Sequence, residues 1–256
     1  MTGMLADMGT IALLASLSVV AMAGFVKGAV GFALPMILVS GLGSFLPAEI
    51  VVAAVILPTV ATNLVQAFRT GMRHAWASFR SFWRFNLIVF ATILASAQLL
   101  SVIPDRVLFL MLGVMIVVFT TMQLAGWRPV IRAGLERVTE VSVALVAGFV
   151  GGLTGVWGPP TILYLTALDV PKAESVRVQG VMYLVGSILL TLAHLKSGVL
   201  NPSTIPYSAL LILPALAGQV IGLKVHDRMD QALFRRATLV VLIIAGANLV
   251  RRGLSL

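Results

Sequence analysis

The sequence predicts an all-α polytopic membrane protein made of two inverted repeats. Each repeat holds a short Gly/Pro-broken helix pair, re-entrant or half-length, followed by three transmembrane helices. Three observations carry this prediction: the apolar composition, an internal duplication, and the distribution of cations among the loops.

Of 256 residues, 59% are hydrophobic and 11% are charged, with a mean hydropathy of +1.05. A soluble domain of this length carries about a quarter charged residues. Runs such as LIVFATILASAQLLSVI and LFLMLGVMIVVFTTMQLAGW approach the roughly 20 residues that cross about 30 Å of hydrocarbon. The net charge of +9 is spread over loops between such runs, so it serves to orient the chain in a lipid bilayer and implies no nucleic-acid partner. There is no cysteine, which excludes disulfides, thiol catalysis and cysteine metal sites. Ala21-Met22-Ala23 resembles a signal-peptidase site, but no basic region precedes it and the duplicated unit begins there, so the first segment is expected to be retained.

The duplication is clearest where AGFVKGAVGFALP, Ala23 to Pro35, aligns with AGFVGGLTGVWGP, Ala147 to Pro159, at an offset of 124 with seven of thirteen positions identical. Pro47 and Pro171 match at the same offset, and PDRVLF (Pro104 to Phe109) resembles MDQALF (Met229 to Phe234) before each half's last span. The halves are therefore read as residues 1–127 and 128–256, paired as transporter repeats are.

Between breakers, the first half shows apolar segments at about 10–26, 33–45, 49–68, 81–102 and 107–126, and the second at about 138–151, 160–168, 175–195, 206–224 and 233–250. The second segment of each half is short. At about 1.5 Å per residue it covers only about half the hydrocarbon.

If the first two segments form a hairpin that enters and leaves on one side, or two full short crossings, the second half is inverted. If they join into one broken crossing, the halves are parallel. Inversion places Arg69, Arg73, Arg80, Arg84, Arg128, Arg132, Arg137, Lys172, Arg177, Lys224, Arg228, Arg235 and Arg236 on one side and Arg106, Lys196, Arg251 and Arg252 on the other, thirteen against four. Parallel halves divide the same residues ten against seven. The positive-inside rule favours inversion, with the richer side cytoplasmic and the termini periplasmic in a bacterial inner membrane.

Backbone that leaves helical geometry within a bilayer needs protein or a water-filled cavity around it. The Gly clusters closed by Pro35 and by Pro159 and Pro160 are the places for such breaks, and prolines fit the first turn of a following half-helix. Inverted halves would bring both breaks together near the midplane, with half-helix N-termini suited to an anion. Gly28, Gly31, Gly152 and Gly155 are the candidate break residues, with Thr154 and Trp157 able to shape a pocket. Small residues that let membrane helices approach closely are the competing reading of the glycines.

Lys27 lies among these glycines, with no acidic residue in the apolar spans to neutralise it. A cation at depth costs about 3 kcal/mol on insertion scales, so it faces a cavity with a substrate anion as counterion, or else snorkels to an interface. Thr59, Asn63 and Gln66 on the third segment, and Gln179, Tyr183 and Ser187 on its counterpart, form polar stripes at helical spacing. Asn63 and Gln179 are the candidate site residues among them, and interhelical hydrogen bonding is the alternative. Glu174 and Arg177 are placed for an i, i+3 ion pair. His74, His194 and His226 lie far apart in sequence at segment ends, so no metal site is expected. No P-loop and no cofactor motif is present.

At the paired Gly-Pro segments the chain resembles the sulfite exporter TauE/SafE family of membrane permeases. GFVKGAVGFALPMIL with its following LPAE, and GFVGGLTGVWGPPTILYL with its following VPKAE, carry the resemblance over essentially the whole length. Many relatives read as a run of glycines where this chain has Lys27. The resemblance implies transport of sulfite, sulfonates or related organic anions across the cytoplasmic membrane. The expected function is thus a secondary transporter, most simply an exporter, working by alternating access around a midplane site. A passive anion channel is the alternative. An intramembrane lipid-phosphate enzyme ranks lower, because the breaks carry Lys27 and Thr154 but no acid.

Overall fold

The structure, a computed structural model, describes residues 8–68, 72–127, 129–226 and 230–256. All regular structure among them is helical. In chain order the helices are α1 (Thr10–Val30), α2 (Leu34–Leu42), α3 (Ala48–Phe68), α4 (Met72–Ser81), α5 (Trp83–Ser96, continued by a 3-10 turn at Ala97–Leu99) and α6 (Asp105–Leu124). The second half repeats the order with α7 (Glu136–Thr154), α8 (Gly158–Ala167), α9 (Lys172–Ser197), α10 (Ile205–Leu210), α11 (Ile212–His226) and α12 (Gln231–Ser255).

Among the described residues, seven stretches are long and apolar enough to cross a membrane: α1, α3, α6, α7, most of α9, α10 with α11 as one stretch, and α12. Trp83–Leu99 is a shorter apolar stretch. The broken pairs differ from expectation in one respect, since only their second members, α2 and α8, are short. α1 has 21 residues and α7 has 19. Gly24 and Gly28 do not end α1. In lipid no water competes for backbone groups, so a glycine whose missing side chain admits a neighbour stays helical.

That neighbour is α11. A Cβ on Gly24 or Gly28 would strike the carbonyls of Ala215 and Gln219, and one on Gly218 or Gly222 would strike those of Ala21 and Phe25. The contact numbers rise together along both helices, so α1 and α11 run parallel. α7 and α5 pair in the same way, Gly148 against Val89 and Thr92, and Gly152 against Ile93 and Ser96.

Two other pairs run antiparallel. Asn63 of α3 meets Tyr183 and Ser187 of α9, while Ala67, one turn further on, meets Gly180. Gly113 of α6 meets Gly246 of α12, and Gln123 meets Arg235.

At one end of the bundle the Ala48 N–H donates to the Asp105 carboxylate at 3.1 Å, Asn248 donates to the Ser44 hydroxyl at 2.8 Å, and Arg252 donates to the Gly43 carbonyl. The Arg252 guanidinium also sits 4.8 Å above the Phe109 ring. Trp76, Trp83 and Trp127 are exposed beside the far ends of α3 and α6, the disposition of tryptophans at a membrane–water boundary.

Candidate functional site

α1 ends at Gly31 (φ +86) and α7 at Gly155 (φ +74), with the Gly31 N–H bonded to the Lys27 carbonyl at 2.8 Å and the Gly155 N–H to the Gly151 carbonyl at 2.7 Å. This left-handed conformation is open to glycine without a Cβ penalty. In the first break Ala33 also takes a positive φ, +81, at a cost of about 1–2 kcal/mol for a residue with a side chain. Pro35 and Pro159 then lie in the first turns of α2 and α8, where a missing N–H costs least. Pro160 follows Pro159, so the first turn of α8 has lost two N–H donors that a free helix end would present.

The two breaks meet at a cavity. Residues 32–36 and 155–159 line it together with Lys27 from α1, Thr59 and Asn63 from α3, and Tyr183 from α9. The space open to the centres of water-sized guests is about 30 Å³. One water needs roughly 10–15 Å³ by that measure, so the room suits a small solute. Its walls are largely apolar, with the Trp157 and Tyr183 rings edge to face at 6.1 Å.

Lys27 is 3% exposed. Its Nζ donates to Thr62 Oγ1 at 2.9 Å and to Asn63 Oδ1. The Thr62 hydroxyl in turn donates a hydrogen bond to the Pro58 carbonyl at 2.7 Å, and Asn63 Nδ2 donates to the Tyr183 carbonyl at 2.9 Å and more weakly to Ser187 Oγ at 3.4 Å. An ammonium has three protons, so one remains. The Thr59 hydroxyl, also on the cavity wall, is buried without a hydrogen-bond partner. No acidic side chain lines the cavity among the described residues. The Lys27 side chain is therefore buried among neutral groups alone.

The two halves of the sequence differ at this position. At the offset of 124, Lys27 and Ala33 correspond to Gly151 and Trp157. A Cβ on Gly151 would come within 2.9 Å of Trp157, so the indole covers, in the second half, the face from which Lys27 projects in the first. Asn63 and Ser187 are related by the same offset and touch each other.

Of the residues expected at the site, Lys27, Asn63, Gly155 and Trp157 line the cavity. Gly31 forms the break behind it, its carbonyl accepting from Gln66 Nε2 at 3.1 Å. Gly28 and Gly152 pack instead against α11 and α5. Thr154 holds the second break in shape, donating to the Val150 carbonyl at 2.7 Å and accepting from the Val156 N–H at 3.2 Å. Gln179 lies one turn along α9 from the cavity, its Oε1 3.5 Å from the Tyr183 hydroxyl.

Thr59 and Tyr183, which belong to the cavity, were visible in sequence only as members of the polar stripes. Phe32, Ala33, Met36 and Val156 gave no sequence signal. His194 Nε2 is 2.9 Å from the Gly152 carbonyl, and its Nδ1 is 3.0 Å from Ser197 Oγ, so it secures the last turn of α7. Glu174 and Arg177 form no ion pair, and Arg177 Nε is buried without a partner.

The family model for TauE, sulfite exporter TauE/SafE, matches residues 16–249. The chain belongs to the sulfite exporter TauE/SafE family. It is accordingly a multi-pass membrane transporter and not an enzyme. The match takes in both breaks and every cavity-lining residue of this TauE/SafE member. Neither a curated protein nor a solved structure matches the chain.

Proposed function

We propose that this TauE/SafE protein is a secondary transporter of a small anion, sulfite or a sulfonate, that binds at Lys27 between the two helix breaks. The observation that carries the reading is the buried Lys27 amine on the cavity wall, held by Thr62 and Asn63 with no carboxylate facing it among the described residues. A buried charge without a counterion is unfavourable by several kcal/mol. An anionic guest supplies the missing partner, and the Thr59 hydroxyl supplies a second donor.

Residues 1–127 and 128–256 act in this reading as inverted repeats. The antiparallel contacts of α3 with α9 and of α6 with α12 support it, because each pairs equivalent helices of the two halves. The parallel pairs α1 with α11 and α7 with α5 each join helices from different halves. The bodies that rock against each other are then intertwined units: α1–α3 with α10 and α11, and α7–α9 with α4 and α5. They meet along α3 and α9, beside the cavity. The end bearing Arg80, Arg84, Arg132, Arg137 and Arg235 faces the cytoplasm of a bacterial inner membrane. Export of one negative charge then gains about 2.3 kcal/mol per 100 mV of inside-negative potential.

Uptake into proteoliposomes across sulfite, sulfonates, sulfate and short carboxylates tests the proposal. Saturable flux of at least one small anion is expected. Flux that rises linearly with concentration would point to a channel, and no anion flux at all would refute the reading.

A further inference from the structure

Resting on that reading, we infer that the cavity selects anions by charge: it takes singly charged oxyanions and rejects doubly charged ones of the same shape. Of sulfite's two protonation states, the singly charged one is then the substrate form. Among the described residues Lys27 carries the single formal charge on the cavity wall, and two of its three protons are already in hydrogen bonds to Thr62 and Asn63. Among side chains, what remains for a guest is one ammonium proton and two neutral hydroxyls, the unpartnered one of Thr59 and the loosely held one of Tyr183. That is a match for one charged oxygen and its neutral neighbours.

The rest of the wall gives little to a second charge. Phe32, Met36 and Trp157 are apolar or aromatic surfaces. Pro159 and Pro160 remove two of the N–H groups that the start of α8 would otherwise offer. The Tyr183 hydroxyl, with only long contacts of 3.5 Å to the Gly158 carbonyl and to Gln179 Oε1, can donate to a guest but brings no charge of its own. In the second half, the position equivalent to Lys27 is Gly151, covered by Trp157, so the repeat supplies no second cation. A dianion entering this space keeps one charge unpaired in a poorly polarisable setting, and such a charge is strongly disfavoured.

Methanesulfonate, methylphosphonate and sulfate are tetrahedral anions of similar size and separate charge from shape. The full chain is reconstituted in liposomes and saturable uptake of labelled methanesulfonate is measured with the other two as competitors. Sulfate is expected to compete about 100-fold more weakly than unlabelled methanesulfonate. Methylphosphonate should lose potency as rising pH removes its second proton. Methanesulfonate, singly charged throughout, corrects for changes in the protein itself. Thr59→Val should weaken methanesulfonate about tenfold with the protein still inserted.

Sulfate competing within tenfold of methanesulfonate, with both lost in Lys27→Met, overturns the charge selection and leaves the anion site standing. If none of the three anions is transported or competes, and sulfite flux is also absent, the underlying reading falls and this inference falls with it.

Discussion

Replacing Lys27 by methionine separates the two reasons a membrane protein keeps a buried cation. If the ammonium is there to hold a guest, its loss removes an attraction of about 4 kcal/mol, the value for unit charges about 4 Å apart at an effective dielectric constant near 20. At 1.4 kcal/mol per decade this is roughly a thousandfold loss of anion affinity. Stability should respond differently. Exchanging an uncompensated buried charge for an apolar side chain of similar length is neutral or stabilising by about 1–4 kcal/mol. Against this, Asn63 Oδ1 loses its donor, a cost of about 1–3 kcal/mol. The two nearly cancel, so thermal unfolding in detergent should shift little while anion uptake collapses. Lys27→Gln keeps a donor to Asn63 but no charge, and should also lose transport. A variant that unfolds readily while its folded fraction moves the anion with unchanged half-saturation would refute the reasoning, because the lysine would then be a structural post.

Ala33→Gly should stabilise the protein by about 0.5–1 kcal/mol, since glycine accepts the positive φ of +81 at this position. Thermal unfolding checks this. Gly222→Leu forces a side chain into the Phe25 carbonyl of α1 and should cost about 3 kcal/mol or more, seen as lost folded protein in size-exclusion profiles. Asn63→Ala leaves Lys27 with Thr62 as its one anchor and should lower anion affinity about tenfold in uptake measurements while the chain remains folded.

The segment pattern was legible because each span is a long apolar run closed by Pro, Gly or charge, and every expected run coincides with a helix or a continuous helical pair. Which glycines break and which pack was not. Gly24 and Gly28 are read through as helix because Ala215 and Gln219 on α11 lie against them, a contact about 190 residues away in sequence. Gly31 and Gly155 have no such backbone neighbour, and there the chain turns. The same distance hid the cavity's extent. Lys27 and Asn63 could be picked out as polar groups among apolar neighbours, while Phe32, Met36 and Val156 are apolar residues whose place on the wall depends on how the two breaks meet. Glu174 and Arg177 show the converse. Their spacing permits an ion pair, and the helix leaves Arg177 Nε buried and unpartnered instead.

The central claim, a guest anion seated between the two breaks, is tested most directly by protection of a single cysteine. The chain has no native cysteine, and Met36 lies on the cavity wall at the start of α2. In Met36→Cys, the rate of thiol labelling should fall as methanesulfonate is added, with half-protection at the concentration that half-saturates transport. Labelling that proceeds at an unchanged rate in saturating anion, while the same protein still transports it, would place the guest elsewhere and contradict the account.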